Sequence, residues 1–121
     1  EEARSFARAL HGHPTIWGFV DGGGMFPYEV SDALYSALAS LPALESLKIS
    51  NLALHSTRPE DESALANPES LTELLRVPSL RSVHFYGFYF TRALCQVTAN
   101  AFMEGTAFGF LEFIGCSFGA V

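Results

Sequence analysis

Basic charge, cysteine and long apolar runs are all scarce in this sequence, and each scarcity closes a route. One Lys and six Arg face thirteen Asp and Glu, a net charge of −6, and the basic residues are scattered. Nucleic acid and anionic membrane both demand a concentrated positive surface, to displace counterions or to meet headgroups, so neither is an expected partner. No apolar stretch approaches the roughly 18 residues of a membrane-crossing helix. The N-terminus has no basic start, apolar core and small-residue cleavage site, so neither membrane insertion nor a secretory leader is expected. Cys95 and Cys116 are too few for a disulfide framework, and neither has a neighbour at metal-ligand spacing. The corresponding expectations are a reduced, intracellular (cytoplasmic) setting, no metal and no cofactor.

Apolar residues are abundant instead: 49% of the chain is hydrophobic and 17% charged, which favours a folded domain over disorder, and 121 residues suit a single one. Those residues are also periodic. Leu44, Leu47, Ile49, Leu52 and Leu54 stand at spacings of three, two, three and two. Leu80, Val83, Phe85, Phe88 and Phe90 repeat the pattern, as do Phe108, Leu111, Phe113, Cys116 and Phe118, while Ile16, Phe19, Gly24 and Phe26 give a degraded copy. If Ile16, Leu44, Leu80 and Phe108 are equivalent, the place six residues earlier holds Leu10, Leu38, Leu74 and Phe102. The place two residues earlier holds Pro14, Pro42, Pro78 and Thr106. The anchors are separated by 28, 36 and 28 residues, and the eight extra residues match the polar stretch His55 to Glu62. Period, insertion and apolar phase agree, as a repeat array requires.

Each unit reads as one helix and one strand. Ala3, Phe6, Ala7 and Leu10 form one helical stripe, closed by His11-Gly12-His13-Pro14. Ser31 is the expected N-cap of a second helix with Ala33, Leu34, Ala37, Leu38 and Leu41 on its inner side. Asn67-Pro68 opens a third through Leu71, Leu74 and Leu75, and Thr91 a fourth through Leu94, Val97, Ala101 and Phe102. Strands are expected near 16–20, 44–49, 80–85 and 108–113. One strand and one helix cannot bury their own apolar side, so neighbours must stack. A helix returns the chain after each strand, which makes the strands parallel. The fold class is therefore α/β, a solenoid with a parallel concave sheet and outer helices, over residues 1–121.

The run Phe108-x-x-Leu111-x-Phe113-x-x-Cys116-x-Phe118 resembles the leucine-rich-repeat signature, and units of 28 residues with a full helix resemble its ribonuclease-inhibitor-like subtype. Leu52 and Phe88 stand where that family carries Asn or Cys. The resemblance implies a horseshoe fragment of about four units, within a longer array, that binds proteins on its concave sheet. It also allows a substrate-reading arm of a ubiquitin ligase or a sensor arm in innate immunity.

The frame places residues between the apolar positions on that concave face. One column reads Val20, Lys48, His84, Glu112; the next Gly22, Ser50, Tyr86, Ile114; a third Gly18, Ser46, Ser82, Phe110. Lys48, Ser50, Asn51, His84, Tyr86, Phe110 and Glu112 are the expected partner-binding residues, the partner being a protein or further repeats of the same chain. Aromatic and charged side chains of this kind are enriched at interface hot spots. No catalytic residue is expected: His84 beside Glu112 looks like a base with its orienting carboxylate, but Ser82 is the sole hydroxyl the frame puts near, and an open sheet lacks a water-excluding pocket. Asp21-Gly22-Gly23-Gly24 follows a strand yet lacks the Lys-Ser/Thr of a phosphate loop. An alternative role is a structural subunit buried in a larger multi-protein assembly.

Overall fold

In each unit the chain settles into a strand two residues after its first large apolar anchor. A computed structural model describes residues 2–21, 31–50, 67–104 and 109–118. In order they form α1 (Glu2–Leu10), β1 (Gly18–Val20), α2 (Ser31–Ala39), β2 (Ser46–Ile49), α3 (Pro68–Leu75), β3 (Ser82–Tyr86), β4 (Tyr89–Phe90), α4 (Arg92–Met103), β5 (Phe110–Ile114) and β6 (Ser117–Phe118). Phe108, Asn51, the glycines at 22–24 and the polar stretch 55–62 lie outside the described residues.

Local signals explain the helix ends. The Asn67 side-chain oxygen accepts the Glu69 N–H at 2.8 Å, and Pro68, which has no N–H to orphan, takes the first helical position of α3. Thr91 caps α4 by accepting the Leu94 N–H at 3.2 Å. After α1 the chain turns at Gly12, whose φ of +71° is left-handed backbone that suits glycine. Ser31 is the first helical residue of α2 rather than the cap before it.

Four strands form one parallel sheet in the order β1-β2-β3-β5, and β4 pairs with β6 in a second, two-stranded one. The register follows the sequence period: Gly18 lies beside Ser46, Ser46 beside Ser82, and Ser82 beside Phe110. β2, β3 and β5 are each entered through a shared acceptor. The Trp17 carbonyl takes the N–H groups of Glu45 and Ser46 at 2.7 and 3.0 Å; that of Glu45 takes those of Arg81 and Ser82 at 2.8 and 3.0 Å; that of Arg81 takes those of Gly109 and Phe110 at 2.6 and 3.1 Å.

Helices pack neighbour on neighbour, α1 on α2, α2 on α3 and α3 on α4, and their inner faces share one core with the sheet. Leu38, Leu44, Leu47, Ile49, Leu71, Leu74, Leu75, Leu80, Val83 and Phe85 are fully buried in it. Phe88, at the place where the resembled family carries Asn or Cys, is fully buried too, with its ring centroid 5.0 Å from Phe85 and 4.8 Å from Phe90. It fills the core with an aromatic ring rather than a polar ladder. Phe6 and Phe102, expected on inner faces, are exposed, because the helical stripe at each end of the row is wider than the one neighbour that covers it. Cys116 is only partly buried, its thiol donating to the Phe85 carbonyl at 3.3 Å.

Asp21 breaks the apolar frame without leaving it. It occupies the place of Ile49 and Phe85, is buried, and its N–H donates to the Lys48 carbonyl at 2.9 Å. Burial, with the nearby Asp21 charge as the smaller cause, pushes the Tyr35 phenol on α2 far above its ordinary value.

Candidate protein-binding face

Side chains alternate along each strand, so one set enters the core and the other faces outward. In β2 and β3 the inward set is Leu47, Ile49, Val83 and Phe85, and the outward set Ser46, Lys48, Ser82, His84 and Tyr86, all partly exposed. Pairing puts Val20 beside Lys48, Lys48 beside His84 and His84 beside Glu112, so the expected column exists as a row across four strands. Tyr86 pairs with Ile114 in the next row.

Three contacts organise this face. His84 Nδ1 lies 2.8 Å from Glu112 Oε1, with both side chains partly exposed. A carboxylate only accepts, so Nδ1 carries the proton and a neutral ring keeps Nε2 as an acceptor. The His84 ring also meets Phe110, centroids 5.2 Å apart, and Lys48 Nζ sits 5.4 Å from the centre of the Tyr86 ring. A cation over an exposed aromatic ring contributes about 0.5–1 kcal/mol. Cation, imidazole, carboxylate and two rings thus form one continuous surface.

Ser50 stands apart from the other expected contacts. It is buried, and its hydroxyl donates to the Gly87 carbonyl at 3.3 Å, bracing the turn after β3 instead of meeting solvent. Gly87 has φ of +54°, and Gly115, one 28-residue step on, has +60°. Ser82 lies two residues from His84 along β3, a rise of about 6.6 Å. Among the described residues no group of three His, Cys, Asp or Glu could hold a metal ion. His13 Nδ1 accepts instead from the Thr15 N–H at 3.4 Å.

Trp17 is a surface residue that apolar periodicity does not single out: its side chain is 64% exposed at the start of β1. The signal was its column, since the places one and two units on hold Glu45 and Arg81, both exposed.

No family model, curated protein or solved structure matches this chain. No helix among the described residues is long and apolar enough to cross a membrane.

Proposed function

We propose that this chain is a leucine-rich-repeat solenoid of the ribonuclease-inhibitor-like kind, and that it recognises a protein partner through its outward sheet face without chemistry of its own. The observation that carries the reading is the row Lys48, His84 and Glu112 on adjacent parallel strands, flanked by Tyr86 and Phe110. Rings held by polar neighbours on a rigid sheet lose little side-chain freedom on binding, which favours them as contact residues. Asn51 belongs to the proposed surface by its place in the sequence, and Ser50 supports it from behind.

A photoreactive amino acid at position 86 tests this, with position 96 on the outer helix α4 as control. Crosslinking of one protein from the native source through position 86 alone, lost in the His84→Ala/Phe110→Ala double variant, is the expected result. Equal crosslinking from both positions would overturn the assignment of the face.

A second reading, a structural subunit buried in a larger assembly, draws support from the exposed Phe110, Phe113, Ile114 and Phe118. It predicts crosslinking through β5 and β6 rather than through position 86.

A further inference from the structure

α1 and α2 pack side by side and are tied together just past α1, where the Gly12 N–H donates to Ser40 Oγ at 2.8 Å. Between them lies an open groove of about 530 Å³, lined by Arg4, Arg8 and His11 from α1 and Ser36 from α2, over an alanine floor that includes Ala33 and Ala37. Alanine ends at Cβ, and that leaves the hollow. None of the lining residues is acidic, in a chain whose net charge is −6. Asp32, next to Ala33 in sequence, accepts from Ser70 Oγ of α3 at 3.2 Å and so is held on the other side of α2. The Arg8 guanidinium donates to Ser5 Oγ at 3.2 Å, a neutral acceptor that leaves its charge unmatched. Neither Arg8 nor His11 has a carboxylate partner among the described residues. The repeat frame does not call for arginine here: the places of Arg4 and Arg8 hold Asp32 and Ser36 on α2, Pro68 and Thr72 on α3, and Gln96 and Asn100 on α4.

From this charge and shape we infer that the groove between α1 and α2 receives an acidic segment of a protein partner, at a site separate from the sheet face. Arg4 and Arg8 stand one helical turn apart, with Cβ atoms about 5–6 Å from each other. An extended segment projects alternate side chains to one side at intervals of about 6.6 Å. Carboxylates two residues apart therefore meet both arginines, whose guanidinium forks donate to carboxylate oxygens. The side chain between the two acids turns toward α2, where the alanine floor admits a short apolar group. A lone ion in so open a groove keeps most of its hydration, whereas a segment laid along it engages the arginines, His11 and the floor together. Nucleic acid needs many phosphates neutralised at once, and two arginines and a histidine are too few.

Fluorescence anisotropy tests this with three labelled heptapeptides: Gly-Glu-Ala-Glu-Ala-Glu-Gly and its counterparts with Gln or Lys in place of Glu. The native chain should bind the Glu peptide about tenfold more tightly than the Gln peptide at low salt, as two exposed charge pairs allow. In Arg4→Glu/Arg8→Glu the preference should reverse, so that the Lys peptide binds more tightly than the Glu peptide; a variant that binds the reversed partner has kept its fold. Ala33→Leu fills the floor without changing charge and should weaken the Glu peptide. His84→Ala/Phe110→Ala should leave it unchanged, which separates this groove from the sheet face. Equal binding of the Glu and Gln peptides overturns the proposal, as does an unreversed preference in the double variant or an Ala33→Leu chain that binds as the native one does. Loss of the Glu peptide in His84→Ala/Phe110→Ala moves the site to the sheet and overturns it too. Displacement by an equal concentration of inorganic phosphate would make the groove a simple anion site and overturn the acidic segment as its occupant.

Discussion

The ring of Phe113 lies flat against that of Phe85, centroids 5.4 Å apart and planes 15° from parallel. The two residues are one 28-residue step apart, and Phe118 repeats the arrangement on Phe90 at 5.1 Å and 14°. Stacked in this way the inner ring is sealed and the outer ring is not. Phe85→Ala is therefore expected to cost about 3–5 kcal/mol and Phe118→Ala only about 1 kcal/mol. Urea denaturation midpoints of the two variants check the difference.

Phe88→Asn would restore the residue type that the resembled family carries. Here it would exchange a sealed ring for an amide whose hydrogen bonds have no provision in an aromatic pocket. The expected outcome is a loss of about 3 kcal/mol or more, read from the same denaturation curves. A variant as stable as the native chain would mean that the pocket around Phe85 and Phe90 supplies polar partners.

Asn67→Ala removes the acceptor that satisfies the Glu69 N–H. Its expected cost is about 1 kcal/mol, and Asn67→Asp should recover most of it, since a carboxylate at a helix start is also favoured by the dipole.

Alkaline stability should depend on Tyr35. Its folded phenol titrates above the ordinary value of about 10, chiefly through burial and secondarily through Asp21. A raised folded pKa means that the native state holds the proton more tightly than the unfolded chain. The stabilisation is complete below the unfolded value and drains away as pH rises past it. Thermal melts of the native chain should fall above about pH 10, and Tyr35→Phe should flatten that fall.

Both thiols should alkylate slowly. Burial pushes the Cys116 thiol up, against the opposing pull of backbone hydrogen bonds at Phe88 and Ile114, and burial alone raises Cys95. The thiolate is the nucleophile, so at neutral pH each should react with iodoacetamide more slowly than a free cysteine. Mass spectrometry of tryptic peptides resolves the two sites.

The parallel register was legible because it rests on spacing: the columns through Gly18, Lys48, His84 and Glu112 follow from a 28-residue period and one eight-residue insertion. The Asn67 and Thr91 caps were legible because capping is local. The second sheet was not foreseen, although Phe88 and Phe90 on one unit and Cys116 and Phe118 on the next share one spacing; two-residue strands are too short to show alternation. The exposure of Phe6 and Phe102 was missed because a helical stripe says which side is apolar and not how many neighbours cover it. Ser50 was placed on the face by alternation, but β2 ends at Ile49 and the alternation ends with it. The burial of Asp21 follows from its place one 28-residue step before Ile49, but its neighbours, Tyr35 on α2 and Lys48 on β2, cannot be read from spacing.

The shared carbonyls at Trp17, Glu45 and Arg81 have a consequence for how such a chain can diverge. The adhesion between successive units there is made by main-chain atoms, so the side chain at that place is released from structural duty. A tryptophan, an acid, a base and a glycine occupy it in turn. The outer lettering of this molecule can thus be rewritten residue by residue while the masonry beneath it stays in place.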